Sequence, residues 1–328
     1  MKPGEQENRG QKGKLWQSSP CLDHYNTTGQ RSMPLNRTQE MIWRALHNSS
    51  LEDEELVLEA LLRRGFLAYR DGDGLWLGTG SHRADLLVLA LVPGIATEQV
   101  AMHRDRFCKI SLQQKDPHTA SEVARAIVAL PEHHIGKEKG GFSGFGLKSR
   151  ALDFNDWETY RWMIWGAQLP VCPATSLEQA RVYEGLDIGI ALLVKSLPLA
   201  NVVTCLSCDG HGIEPASVSF CFKWDSCWGQ AVFASLPIQP MHSAWEWGPD
   251  LKIRPRNEYD DESVTLMLED IQKCARQLLD IEVINKVAHA RHRTLGVFSN
   301  RGAGPSIEEF KMEAARQLQG AFGSSTKF

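Results

Sequence analysis

The chain has 328 residues, of which 42% are hydrophobic and 23% are charged, and its formal net charge is -4. This composition is that of an ordinary globular protein with a buried core. The charge balance gives no overall attraction to nucleic acid or to an anionic membrane, so a surface of either kind has to be local. No apolar run approaches the roughly 18 residues that a membrane helix needs, so we expect no membrane partner.

The N-terminal sequence and the cysteine content bear on the compartment. The opening stretch MKPGEQENRGQKGKLWQ is polar and of mixed charge, and it lacks the apolar core of a secretory signal. We therefore expect a cytoplasmic protein. In that compartment the eight cysteines are thiols, metal ligands or catalytic groups more often than disulfides.

The first 115 residues divide into a tail and a helix/hairpin region. Residues 1–35 are rich in glycine, glutamine, asparagine and charge, and they are predicted to form a disordered tail. Within residues 36–115, Asn36 or Thr38 is a suitable cap for a first helix, and a second helix is predicted to end at Gly65. Two short apolar runs then flank the sequence DGDG at 71–74, which is typical of a β-hairpin.

Helices followed by a hairpin are also typical of winged-helix proteins, which bind DNA. The second helix, however, opens with the acidic run EDEE at 52–55. Phosphates would repel that face, so a helical pair capped by a hairpin is the favoured interpretation.

Residues 116–250 are predicted to form an α+β core, and residues 251–328 a C-terminal helical region. A long helix is expected at 176–197. Three apolar segments then predict an antiparallel meander, at 200–206, 216–222 and 229–236. Amphipathic helices are predicted at 263–280 and 306–321. The expected fold class is therefore α+β, a mainly antiparallel sheet packed against helices, with an N-terminal helix-helix-hairpin region.

The densest group of reactive side chains lies between residues 201 and 227, in the sequence NVVTCLSCDGHGIEPASVSFCFKWDSC. Thiolate, imidazole and carboxylate groups bind transition metals or perform nucleophilic chemistry. Glycines on both sides of His211 permit a tight turn and the close approach of a ligand. The first strand of the meander should therefore deliver Cys208 to a turn with Asp209 and His211.

Four interpretations of this turn remain open from the residues themselves. A zinc site would use Cys205, Cys208 and His211, with Cys227 or Cys221 as the fourth ligand. In a nucleophilic site, Cys208 would be deprotonated by His211, and Asp209 or Asp225 would orient the imidazole.

The third interpretation is a pocket for a small polar ligand. Its binding groups would be drawn from Ser207, Asp209, Gly210, His211 and Asp225. In the fourth, the cysteines are buried as small apolar residues, and the polar residues stabilise the turn.

A short resemblance bears on this choice. The pattern Thr204-x-x-Ser207-Cys208-x-Gly210-His211, with Pro215 and Val218-x-Phe220 after it, resembles a strand-turn module of uncharacterised phage and bacterial proteins. It covers about twenty residues and implies no activity. The resemblance implies that Ser207 to His211 form one unit, with Cys205, Cys221 and Cys227 outside it. It therefore favours a Cys208–His211 pocket over a multi-cysteine zinc site, and it implies a bacterial or phage setting.

A cationic segment near the C-terminus offers a different function. Its members are Lys286, His289, Arg291, His292 and Arg293, preceded by Lys252, Arg254 and Arg256. Such a group can contact phosphates, although the acidic residues at 258–262 would also balance it as a solvated helix face.

The leading hypothesis is a cytoplasmic enzyme or binding protein with a polar pocket for a small polar ligand. The alternatives are a zinc-stabilised interaction module and a nucleic-acid-associated factor of a mobile element or defence locus, whose contacts would come from Lys286, Arg291 and Arg293.

Overall fold

The fold combines helices with two antiparallel four-stranded sheets, which confirms the predicted α+β class. The computed structural model describes residues 35–72, 74–78, 89, 92–103, 106–112, 119–130, 157, 160, 186–299 and 304–323. Nearly all of the predicted tail and the first part of the helix expected at 176–197 lie outside these residues. No helix within them is both long enough and apolar enough to cross a membrane.

The N-terminal helices and hairpin form where the sequence predicts them. They comprise α1 (Arg37–His47), α2 (Asp53–Arg63), β1 (Ala68–Asp71) and β2 (Gly74–Gly78). Asn36 and Gln39 cap α1 reciprocally, each side chain accepting a hydrogen bond from the other residue's backbone N–H. Gly65, with φ of 87°, follows the end of α2. Local signals of capping and turn geometry are therefore sufficient to define this region.

The first sheet adds two longer strands to this hairpin. These are β3 (Ile95–His103) and β4 (Arg106–Leu112), and the strand order is β1-β2-β4-β3. Helix α3 (Ala120–Val128) packs against α1 and α2. A capping box between Thr119 and Glu122 begins it. The first sheet and these three helices thus contribute to the same buried core as the rest of the described chain.

The second sheet carries the Cys/His turn. The short helix α4 (Ala191–Ser196) precedes its four strands, β5 (Thr204–Cys208), β6 (Ala216–Phe220), β7 (Ser243–Trp247) and β8 (Asp250–Pro255). The order is β5-β6-β8-β7 with every neighbouring pair antiparallel. The first two predicted strands of the meander are therefore present, and β5 delivers Cys208 to the turn.

The third predicted strand, at 229–236, is wrong because this segment belongs to helix α5 (Lys223–Ser235). Ten of the thirteen residues of α5 are buried, so the helix has no wide polar face and no helical period is visible in its sequence. Gly229 stands against β7, where an added Cβ would lie 2.9 Å from Cζ3 of Trp247. An all-round apolar helix and a buried strand have similar sequences.

Three helices complete the chain, α6 (Asp261–Arg276), α7 (Ile281–Phe298) and α8 (Ile307–Phe322). The first and last confirm the helices predicted near 263–280 and 306–321. Helix α8 packs against both α5 and α7.

Residues 286–293 of the cationic segment lie on α7, and Arg291 at their centre is buried. Arg291 is 2% exposed, and its Nη2 lies 3.5 Å from Oδ1 of Asp225. Its guanidinium also lies over three ring faces, those of Trp228, Tyr160 and Phe310. Arg291 therefore cannot contact phosphates from the surface, contrary to the prediction for the cationic segment. Lys286 forms an ion pair with Glu282 at 2.6 Å, and Arg293 remains exposed.

Candidate metal centre

The turn after β5 has an unusual backbone. Gly210, His211 and Gly212 have φ angles of 72°, 50° and 72°, so three successive residues lie in the left-handed region. A Cβ at position 210 would come within 3.0 Å of the backbone of Pro215, so this position requires glycine. His211 has a Cβ, and its strained backbone is held by a hydrogen bond of 2.8 Å from its N–H to Oδ1 of Asp209.

Cys208, His211 and Asp209 form a continuous chain of contacts. Nε2 of His211 lies 3.6 Å from Sγ of Cys208. On the other side of the ring, Nδ1 lies 3.3 Å from Oδ1 of Asp209. Because a carboxylate accepts hydrogen bonds, the Nδ1 proton is expected to face Asp209, and the lone pair of Nε2 then faces the sulfur. The structure thus brings together the three residues for which the sequence suggested a catalytic role.

A fourth group, Asp187, joins them and was not anticipated from the sequence. Its Oδ2 accepts a hydrogen bond of 3.1 Å from the backbone N–H of Asp209. One ligand atom from each of Asp187, Cys208, Asp209 and His211 lies within 4.8 Å of the others. The predicted helix at 176–197 would have placed Asp187 in its interior, but residues 186–190 form a turn before α4.

Two residues fix the position of the Asp187 segment. Gly189 donates a hydrogen bond of 3.3 Å to Oδ2 of Asp209, and a Cβ at this glycine would lie 2.9 Å from that oxygen. Arg64, which is buried after α2, donates a hydrogen bond of 2.7 Å to the carbonyl oxygen of Leu186. Glycine within a predicted helix was a sequence signal for this break, since glycine is unfavourable in helix interiors.

The electrostatics of the group are unfavourable for negative charge. The pKa of the Cys208 thiol is raised by burial and further by Asp187, both through its charge and through a hydrogen bond. The pKa of Asp209 is also raised, first by burial and then by the charge of Asp187, while the hydrogen bond from the backbone of His211 opposes the shift. A positive ion among these groups would reverse both effects.

The other residues suggested from the sequence lie elsewhere or contribute differently. Ser207 pairs with the buried Val218, so it faces the core side of the sheet, away from Cys208. The side chain of Cys205 lies outside the described residues. Cys227 is buried in α5, where Lys311 and Glu308 of α8 are its charged neighbours, and it is not among the four clustered residues.

Two further residues of the cysteine-rich stretch are not part of the cluster. Asp225 is fully buried beside Arg291, so it does not orient His211 or line the turn. Cys221 is buried just after β6. Of the residues suggested for a site, the structure therefore clusters Cys208, Asp209 and His211, with Gly210 between them in the turn.

Comparison with protein-family models, with curated proteins and with solved structures finds no match to this chain. A function therefore has to be argued from the geometry of the site.

Proposed function

We propose that the protein binds a divalent metal ion of the zinc class through Asp187, Cys208 and His211, while Asp209 orients the histidine. The observation that carries the proposal is the spacing of the donor atoms. In a tetrahedral zinc site, bonds of about 2.3 Å to sulfur and 2.0–2.1 Å to nitrogen place these two atoms about 3.5 Å apart. Sγ of Cys208 and Nε2 of His211 lie 3.6 Å apart.

The role of Asp209 follows from its hydrogen bonds. Its Oδ1 lies 3.3 Å from Nδ1 of His211, and a histidine that binds metal through one nitrogen commonly donates its other N–H to a carboxylate. Both Asp209 oxygens already accept backbone hydrogen bonds, from Gly189 and from His211. These contacts suit Asp209 as a group that orients a ligand, and they leave Asp187 as the oxygen donor.

The charges of the donor set match those of a divalent cation. A Cys208 thiolate and the Asp187 carboxylate together neutralise two positive charges, and the metal removes the cost of placing these groups side by side. Soft sulfur and imidazole donors favour zinc over magnesium or calcium.

Three protein ligands leave one coordination position for water or substrate, which is typical of catalytic zinc. We therefore propose metal-assisted hydrolysis of a small polar substrate as the reaction class. In this reaction His211 and Asp187 would hold the ion at the end of β5. The imidazole is half-exposed, 44% accessible, so substrate would reach the centre from its side.

The test is elemental analysis of the purified full-length chain, with two cysteine variants compared. The wild type should retain about one zinc per chain. Cys208→Ala should abolish retention, whereas Cys227→Ala should not, since Cys227 lies beside α8. A wild type without metal after zinc loading, or equal zinc in all three proteins, would contradict the proposal.

A second candidate is supported by the same contacts, in which Cys208 is a nucleophile, His211 its base and Asp209 the orienting carboxylate. Asp187 opposes it because this carboxylate raises the pKa of the thiol. Alkylation of the metal-free protein by iodoacetamide at pH 7 separates the two. A nucleophilic Cys208 would react faster than glutathione, whereas the metal proposal expects slower labelling that zinc suppresses further.

A further inference from the structure

One face of the second sheet is polar and open to solvent. On β6 and β8, alternate residues are buried, among them Val218 and Leu251, and the residues between them face outward. The strand register places Cys208 opposite Ser217, and Ser217 opposite Lys252. Directly paired residues point to the same face of a sheet. Cys208, Ser217 and Lys252 therefore form one row across three strands, beginning at the candidate metal centre.

The row brings a cation within reach of the centre. Neighbouring strands are about 4.8 Å apart, so the Cα atoms of Cys208 and Lys252 are separated by about 10 Å. An extended lysine side chain that leans toward β5 covers much of this distance, and the Ser217 hydroxyl lies between the two. A small group bound at the metal can therefore contact both side chains.

The charges on this face single out Lys252. Glu246 lies directly opposite Lys252 on β7, but its carboxylate forms an ion pair of 2.6 Å with Arg254, and Asp250 lies in the adjacent row, opposite Ser219. Within the described residues Lys252 forms no ion pair. Since Asp187 and the Cys208 thiolate neutralise a divalent metal and Asp209 adds a further carboxylate, the centre itself has no net positive charge with which to attract an anion. Lys252 can do so, whereas Arg37, whose Nε would lie 3.5 Å from a Cβ at Gly212, is already paired with Asp261 at 2.7 Å.

We infer that the substrate of the proposed metal centre carries an oxyanion group, a phosphate or a carboxylate, which binds between the metal, Ser217 and Lys252. This inference rests on the proposed function and adds the substrate class to it. Lys252 supplies a charge-assisted hydrogen bond and Ser217 a neutral one. The exposed Leu206, 53% accessible, lies on the same face of β5 and offers an apolar contact beside the oxyanion.

The experiment uses cobalt(II) in place of zinc in the full-length chain. Thiolate-to-cobalt and ligand-field absorption bands report the metal site directly. Sulfate and acetate are then titrated as tetrahedral and planar oxyanion probes. We expect at least one of them to shift the bands, and the anion that does so indicates whether the natural group is phosphate-like or carboxylate-like. Lys252→Met should weaken this anion about tenfold, and Ser217→Ala should weaken it less.

The matched control is Lys273→Met, which removes the same charge from α6, where Lys273 pairs with Glu269 at 3.5 Å. Its anion affinity should equal that of the wild type. Normal cobalt bands that neither anion shifts, or a shift with equal affinity in Lys252→Met, would overturn the inference alone. The absence of thiolate-to-cobalt bands in the wild type would overturn the proposed function and this inference with it.

Discussion

Two groups of buried charges in this molecule are built in opposite ways. Asp225 and Arg291 carry opposite charges, and the guanidinium is enclosed by aromatic rings. Asp187 and Asp209 carry the same charge, they lie beside a thiol, and each raises the pKa of that thiol. The first group pairs opposite charges and joins α5 to α7, although burial still lowers the pKa of Arg291 well below its ordinary value. Among the described residues, no lysine or arginine forms an ion pair with Asp187 or Asp209, and a bound cation would supply the missing positive charge.

Two acidic residues of the cysteine-rich stretch therefore have opposite surroundings. Asp209 and Asp225 both lie in the cysteine-rich stretch and both are almost completely buried. Their partners distinguish them: Asp225 lies beside an arginine, whereas Asp209 lies beside a second carboxylate. A buried acidic group is therefore a better indication of a functional site when its neighbours raise its pKa further than when an opposite charge lies beside it.

The largest expected effect comes from breaking the compensated group. Arg291→Met leaves the Asp225 carboxylate buried without its cation, and we expect a loss of about 3–5 kcal/mol in the free energy of unfolding. Urea denaturation measures it. The double variant Asp225→Leu/Arg291→Met should lose much less, because no uncompensated charge remains.

Arg44→Met is the control for this change, since Arg44 pairs with Glu40 on the surface and exposed pairs contribute little. If the double variant were as unstable as Arg291→Met alone, the aromatic packing of the guanidinium would matter more than its charge.

The next effect concerns the contact between residues 186–190 and the turn after β5, the two segments that form the candidate metal centre. Gly189→Ala places a Cβ 2.7 Å from Cδ2 of Leu268 and 2.9 Å from Oδ2 of Asp209. Overpacking of this kind costs about 1–3 kcal/mol, and zinc retention should fall with it because Asp187 and Asp209 are pushed apart. Thermal unfolding with and without zinc measures both.

Gly296→Ala provides the matched control in α7, where an added Cβ meets nothing within 4 Å. This variant should be slightly more stable than the wild type, since alanine favours helix, and it should retain zinc normally. A Gly189→Ala protein with unchanged stability and zinc content would show that the two segments are free to separate.

The parts of this structure that the sequence predicted are those set by near neighbours in the chain. The cap of α1 requires Asn36 and Gln39, three residues apart, and the turn after β5 requires the glycines next to His211. Asp187 could not be found in this way, because its contact with Asp209 spans 22 residues. Helix α5 was missed because it is buried on nearly all sides, so its own sequence carries no periodic signal.

The smallest and most specific effect is a pH dependence of stability that arises from the two neighbouring carboxylates, Asp187 and Asp209. The pKa of Asp209 in the folded protein is raised above its ordinary value of 3.8. The protonated Asp209 carboxyl therefore makes its full contribution to the stability of the fold below pH 3.8. This contribution is lost as the pH rises through the pKa of the folded protein. In metal-free protein, Asp187→Asn removes one cause of the shift while its amide oxygen still accepts the hydrogen bond from Asp209.

The variant should accordingly match the wild type near pH 3 and become more stable than it as the pH rises to neutral. Excess zinc should reverse the order at neutral pH, because only the wild type keeps the carboxylate ligand, and saturation at 100 times the Kd adds about 2.7 kcal/mol. Denaturation curves across this range, with Asp250→Asn as an exposed control of equal charge change, measure both. A variant less stable than the wild type without metal would mean that Asp187 acts chiefly as a structural hydrogen-bond acceptor, and the contrast with the Asp225–Arg291 pair would then disappear.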